Sequence, residues 1–264
     1  MKKIFFTNVN YAGNAGDFWS SPTHYYNFPN REVKQIHFMD FVSALENNSN
    51  YERNKLKDQI VVIGGGGLIT DRGYYLQNII EWLVENNKVI FWGIGSNAFK
   101  KPSYDIFDHK NVLLVGTRDV SHELRHRYVP CVSCKMNLFE RNYEIDEEIG
   151  IIEHPSHFVN IPNIPKTYNT VDIIELIKFI GSKKTIISST YHGVYWSQIL
   201  EKKVLYYNDT GLINTKFSHL KNRVTQCDNL NYLDKINNLT NLVGFKEECR
   251  HLNDIFYKDV LQVI

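Results

Sequence analysis

The stretch TIISSTYHGVYWS, residues 185 to 197, runs from an apolar strand pattern into Ser188, Ser189, Thr190 and His192, then into an aromatic helical pattern. Small hydroxyl residues at such a junction have two uses. Their oxygens cap the first helix amides, or they join those amides and the positive end of the helix dipole in holding an anion. Arg118, in TRDVS, stands at another strand exit directly before Asp119. A helix start repels a cation, so Arg118 is expected to reach a carboxylate or phosphate, or to pair with Asp119. Asn14 and Asp17 of NYAGNAGDFWSSP follow the N-terminal strand, where Asp17 could equally cap a turn or a helix.

Glycines accompany these groups. Gly64 to Gly67 follow DQIVVI, and Gly93-Ile94-Gly95-Ser96-Asn97 follows KVIFW. Neither run is the spaced dinucleotide fingerprint, and no P-loop lysine is present. Tight turns would explain each run alone. Three glycine-rich loops at successive strand ends favour a binding cleft.

HELRH, His122 to His126, has the two histidines and intervening glutamate of a zinc-protease helix, and the cysteines of CVSC, Cys131 and Cys134, follow closely. Arg125 would place a positive charge beside the metal, and the helix pattern ends by Val129-Pro130. No metal is expected.

The elements that must carry these residues read clearly. Short β-branched runs at KKIFFT, DQIVVIG, KVIFWGI, NVLLVGT, EIGIIEH, KKTIIS and KKVLYY predict strands. YYLQNIIEWLVENN, DVSHELRHRY, TVDIIELIKFIGS, GVYWSQILE and NYLDKINNL predict helices between them. Strands apolar on both faces and separated by helices belong to parallel sheets covered on both sides. The polar segment LFERNYEIDEE divides the series. The expected fold is α/β: two Rossmann-like domains facing a cleft, residues 1–145 and 146–264, with ligands at the strand C-terminal ends. Phe245, Cys249, Leu252, Phe256 and Val260 lie at helical spacing, so a terminal helix is expected to return to the first domain.

The 264 residues are 43% hydrophobic and 22% charged, as in self-folding globular chains. A formal charge of +1 gives no reason to expect nucleic acid. Four cysteines do not make a secreted disulfide framework at this length. No run of 18 apolar residues occurs and MKKIFFTNVN is too short a run for a signal peptide, so a cytoplasmic protein is expected. Contact with a membrane surface stays open.

Taken in order, NAGD at 14 to 17, the glycine run, GIGSN, TRDVS and STYHGVYWSQILEKKVL resemble the polysaccharide pyruvyl transferase family across most of the chain. VPCVSC departs from the Asp-Pro that other members carry near that point. The resemblance implies a two-domain, GT-B-like fold. It implies transfer of pyruvyl from phosphoenolpyruvate to two sugar hydroxyls, giving a cyclic ketal and phosphate without cofactor. The acceptor would be a sugar or lipid-linked oligosaccharide of a surface polysaccharide, handled in the cytoplasm, with the inner face of the membrane as an open alternative.

On that reading His192 is the leading proton donor, histidine being suited to proton transfer near neutral pH. Ser188, Ser189, Thr190, Tyr191 and Gly193 would hold the phosphate and Arg118 the carboxylate, with charge from Lys216 and a contact from His154. Asp17 would deprotonate a sugar hydroxyl. Asn14, Gly65, Gly66, Gly95, Ser96 and Asn97 would form the acceptor side, with Tyr11, Trp19 and Tyr25 as stacking faces. The alternatives are a nucleotide-sugar-dependent glycosyltransferase, with Glu153 on the ribose, and a non-catalytic sugar-binding module.

Overall fold

A computed structural model describes residues 3–8, 13–46, 57–71, 75–98, 102, 104–120, 126–169, 172–208, 215–218, 220, 222 and 224–264. Their strands form two parallel sheets. The first contains β1 (Lys3–Asn8), β2 (Glu32–His37), β3 (Ile60–Gly64), β4 (Gly67–Ile69), β5 (Lys88–Ser96), β6 (Val112–Thr117) and β7 (Arg127–Tyr128). Its order is β2-β1-β3-β5-β6-β7, with β4 against the end of β5. The second contains β8 (Glu147–Glu153), β9 (Lys166–Tyr168), β10 (Lys183–Ser188), β11 (Lys203–Tyr207) and β12 (Thr225–Cys227), in the order β12-β11-β10-β8-β9.

Period-two alternation sorts the first core into two layers. Phe5, Val61, Ile63, Val89 and Phe91 face one way, covered by α2 (Phe38–Glu46) and α3 (Tyr75–Asn86) through Phe38, Phe41, Ile80 and Leu83. Ile4, Phe6, Val62, Ile90 and Trp92 face the other way, toward Phe256 and Val260. In the second sheet Ile152, Ile186 and Val204 pack against α4 (Ile173–Gly181) and α5 (Tyr191–Ile199), while Ile151, Ile187 and Leu205 form the opposite layer with Val159 and Ile161. Both faces of both sheets are thus apolar, as parallel strands require.

The terminal helix, Phe245–Val263, joins both cores. Phe245 and Cys249 pack with Tyr195 and Trp196 beside the second sheet, and Phe256 and Val260 pack on the first. Between them the fully buried Asn253 accepts the indole N–H of Trp92 at 2.9 Å and donates to the Pro130 carbonyl at 3.2 Å.

The seven expected strands are all present, and four of the five expected helices. The exception is 119–128. Asp119 and Val120 are not helical, and Arg127–Tyr128 pairs with Gly116 and Thr117 as an edge strand. Residues 121–125 lie outside the described residues, and with them most of HELRH.

Candidate functional site

The polar groups gather where β1, β5, β6 and β10 end. Asn8, last residue of β1, donates its side-chain amide to the Asp17 carbonyl at 2.8 Å and fixes a short helix, α1 (Ala15–Phe18). Asn14 caps that helix. Its Oδ1 accepts the Gly16 N–H at 3.1 Å, and its Nδ2 donates to Asp17 Oδ2 at 2.7 Å. The Ala15 N–H donates to the Asn169 carbonyl at 3.0 Å, which ties this first-sheet loop to the exit of β9.

Arg118 follows β6, held by its N–H to the Ile94 carbonyl at 2.9 Å. Its side chain passes over Gly95, where a Cβ would lie 2.2 Å from Nε, so only glycine leaves it room. The guanidinium stacks 3.5 Å from the Tyr191 ring centre. Asp119 does not pair with it: that carboxylate accepts the Ser96 N–H at 2.6 Å and the Tyr104 hydroxyl at 2.7 Å. Arg118 is 3% exposed, and its Nε and Nη1 have no hydrogen-bond partner among the described residues. Buried polar groups are almost always paired. A buried guanidinium with two open donors is therefore prepared for a ligand.

Lys216 reaches the site from α6 (Thr215–Ser218), after β11 of the second sheet. Thr215 anchors it by exchanging hydrogen bonds with the backbone of Ala98, in the loop after β5. His192 lies in the first turn of α5, whose nine residues are all buried. Thr190 caps the helix, its hydroxyl accepting the Gly193 N–H at 3.0 Å. The imidazole Nε2 lies 3.4 Å from Cys131 Sγ, while Nδ1 lies over Gly16, where a Cβ would be 2.0 Å away.

Asp17, Arg118, His192, Lys216, Tyr191, Thr190, His154, Asn14 and Asn97 line one cavity of about 250 Å³. Its electrostatics follow from burial. Desolvation lifts the Asp17 carboxyl to about 6, against the pull of Arg118 and Lys216. Desolvation lowers Lys216 to about 8, helped by Arg118 and opposed by Asp17. His192 is pushed well below the ordinary histidine range by desolvation, then by Arg118 and Lys216. His154 is lowered by desolvation, Lys216 and His157. The cavity therefore holds two cations, one carboxyl that titrates near neutrality and neutral imidazoles.

Several expected residues have other duties. Ser188 is fully buried, its hydroxyl engaged with the Ile152 carbonyl and with Thr190. Ser189 accepts the His154 N–H and donates to the His157 carbonyl. These two hydroxyls build the corner instead of holding a phosphate. Ser96 is fully buried behind it, and Gly65, with φ of 66°, packs on Ser20. Gly66, with φ of 80°, comes near Asp17. Trp19 and Tyr25 line a separate cavity with His24 and Lys135. Tyr11 lies outside the described residues. Glu153 is 2% exposed, and its Oε1 accepts the Val159 N–H at 2.8 Å and the Lys166 ammonium at 3.1 Å, so it is not open to a ribose. Gly67 of the glycine run lines the wall, while Leu68, Leu76 and Asn169 complete it without any local sequence signal, and Cys131 enters beside His192 through tertiary packing.

No family model matches the sequence, and no curated protein matches it. Among solved structures the chain is similar to a functionally uncharacterized protein from Klebsiella pneumoniae, at 16% identity and a TM-score of 0.51. The likeness covers 80% of this chain and 85% of that one. At that identity it speaks to the fold alone, an α/β arrangement of parallel sheets of Rossmann type.

Proposed function

We propose that this protein is a polysaccharide pyruvyl transferase, moving the pyruvyl group of phosphoenolpyruvate onto two hydroxyls of a sugar as a cyclic ketal and releasing phosphate. The observation that carries the reading is Arg118: buried, unpaired at Nε and Nη1 among the described residues, and facing a cavity shared with Lys216 and His192. Such a site asks for a small, multiply charged anion with planar acceptor pairs. Its volume of about 250 Å³ is below the roughly 300–1,000 Å³ of pockets for drug-sized ligands. That size, and the engagement of Glu153 with Lys166, weigh against a nucleotide sugar.

In this reading the two sheets are GT-B-like domains facing a cleft, with the terminal helix crossing back. The donor sits between Arg118 of the first domain and His192 and Lys216 of the second. The acceptor is a sugar or lipid-linked oligosaccharide, and the protein works in the cytoplasm at a membrane surface. No helix among the described residues is long and apolar enough to cross a membrane.

Roles follow from the charge states. His192, expected from the sequence to be the proton donor, is neutral beside Arg118 and Lys216 and serves instead as a hydrogen-bond donor to the anion, whose charge those two cations hold. Asp17, near 6, is the acid: as a carboxylic acid it protonates the methylene carbon, leaving an oxocarbenium-like centre at C2. As a carboxylate it then takes the proton of the attacking hydroxyl. The second hydroxyl closes the ring as the C–O bond to phosphate breaks, and its proton leaves on the phosphate.

The test is phosphoenolpyruvate binding by thermal shift and calorimetry, with Arg118→Ala as control. Stabilisation by phosphoenolpyruvate, lost on the order of 100-fold in affinity in Arg118→Ala, supports the reading. Stabilisation by nucleotide sugars instead, or unchanged affinity in the variant, defeats it.

A further inference from the structure

Behind His192 runs a chain of hydrogen bonds that begins at a group able only to donate. The Trp196 indole N–H lies 2.9 Å from Ser133 Oγ, Ser133 Oγ lies 3.2 Å from Cys131 Sγ, and Cys131 Sγ lies 3.4 Å from His192 Nε2. Cys131 and Ser133 are fully buried. An indole N–H can only donate. Ser133 must therefore accept from Trp196, and its own proton has one acceptor among the described residues, the Cys131 sulfur. In the arrangement that gives every proton an acceptor, Cys131 receives from Ser133 and turns its S–H toward His192 Nε2. Burial raises the Cys131 thiol above its ordinary range, so it keeps the proton that this step needs. The Tyr195 hydroxyl holds the Cys131 carbonyl at 2.8 Å and keeps the thiol in place.

We propose that the Trp196–Ser133–Cys131 chain sets His192 as the neutral tautomer protonated on Nδ1, which makes Cys131 a positioning residue for the cavity. With Nε2 occupied as an acceptor, the single imidazole proton sits on Nδ1. That nitrogen has no hydrogen-bond partner among the described residues and lies over Gly16, in the loop whose Asn14 and Asp17 line the same cavity. The imidazole thus offers an N–H to an anion and no lone pair to an attacking hydroxyl, which leaves proton transfer to Asp17. A carboxylate at position 131 would reverse this, accepting from Nε2 and favouring the imidazolium. The tautomer stands on the hydrogen-bond chain alone; its meaning for phosphoenolpyruvate rests on the function proposed above.

The test is ¹H–¹⁵N correlation of ¹⁵N-histidine-labelled protein at pH 7, with His192 assigned by the signals lost in His192→Gln. The expected pattern is a pyridine-type Nε2 and a pyrrole-type Nδ1. Cys131→Ser, which can pass the proton in the same direction, keeps the pattern. Cys131→Ala moves both nitrogens toward averaged shifts, and Ser133→Ala, which leaves the thiol in place, does the same should the first variant not fold. A pyrrole-type Nε2 in the wild type, or an unchanged pattern in both alanine variants, overturns the inference. Phosphoenolpyruvate-dependent phosphate release should fall on the order of tenfold in Cys131→Ala and recover in Cys131→Ser. The expected tautomer in a protein that ignores phosphoenolpyruvate would sink the functional reading and leave this one standing.

Discussion

Asp17→Asn should stabilise the protein and, on the function proposed above, abolish pyruvyl transfer. Asp17 sits beside two cations, yet burial outweighs them and lifts its carboxyl from 3.8 to about 6. Ionising it in the folded state therefore costs about 3 kcal/mol more than in the unfolded chain at pH 8. An asparagine keeps the shape and can still accept from Asn14 Nδ2, but has no charge to desolvate. The sign follows from linkage: because the folded carboxyl binds its proton more tightly, wild-type stability falls as pH rises from about 4 to about 6, then stays low. The variant's advantage should be about 3 kcal/mol at pH 8 and about 1.5 kcal/mol at pH 5. Urea unfolding of both proteins at the two pH values measures it, and at this chain length the advantage at pH 8 raises Tm by roughly 6–12 °C. A variant less stable than wild type at pH 8, or a gap that does not shrink at pH 5, would refute the assignment of a half-buried, proton-retaining carboxyl.

Two further outcomes follow from the same geometry. Gly95→Ala places a methyl 2.2 Å from the Arg118 Nε, so phosphoenolpyruvate affinity should drop on the order of tenfold or more while circular dichroism stays native; unchanged affinity in calorimetry would contradict the packing. Lys216 is protonated only below about 8, so the rate of phosphate release should decline through that pH, and Lys216→Arg should extend the plateau upward. A pH profile identical in the two proteins would remove Lys216 from the site.

The interior strands were legible because each is a run of β-branched or aromatic residues apolar on both faces. The strands that escaped notice are β2, β4, β7, β9 and β12. EVKQIH is mostly exposed, and GLI, RY, KTY and TQC are too short to show a period. The site was readable to the extent that parallel sheets collect loops at one end, which brought Asp17, Arg118, His192 and Lys216 together. The duties of the hydroxyls were not. Ser188 and Ser189 look like phosphate ligands in one dimension, but their partners are Thr190, the Ile152 carbonyl of β8 and the His154–His157 turn. Cys131 suggested metal chemistry by its spacing, whereas its partner, His192, lies 61 positions away.

The helix over Phe245–Val263 also dictates an order of events at the ribosome. Trp92 and the layer formed by Ile4, Phe6, Val62 and Ile90 await Asn253, Phe256 and Val260. A nascent chain that has emerged only through its second sheet still presents that greasy surface bare. Neither sheet should mature independently, and a stalled polypeptide lacking this helix is the species that cellular quality control should meet.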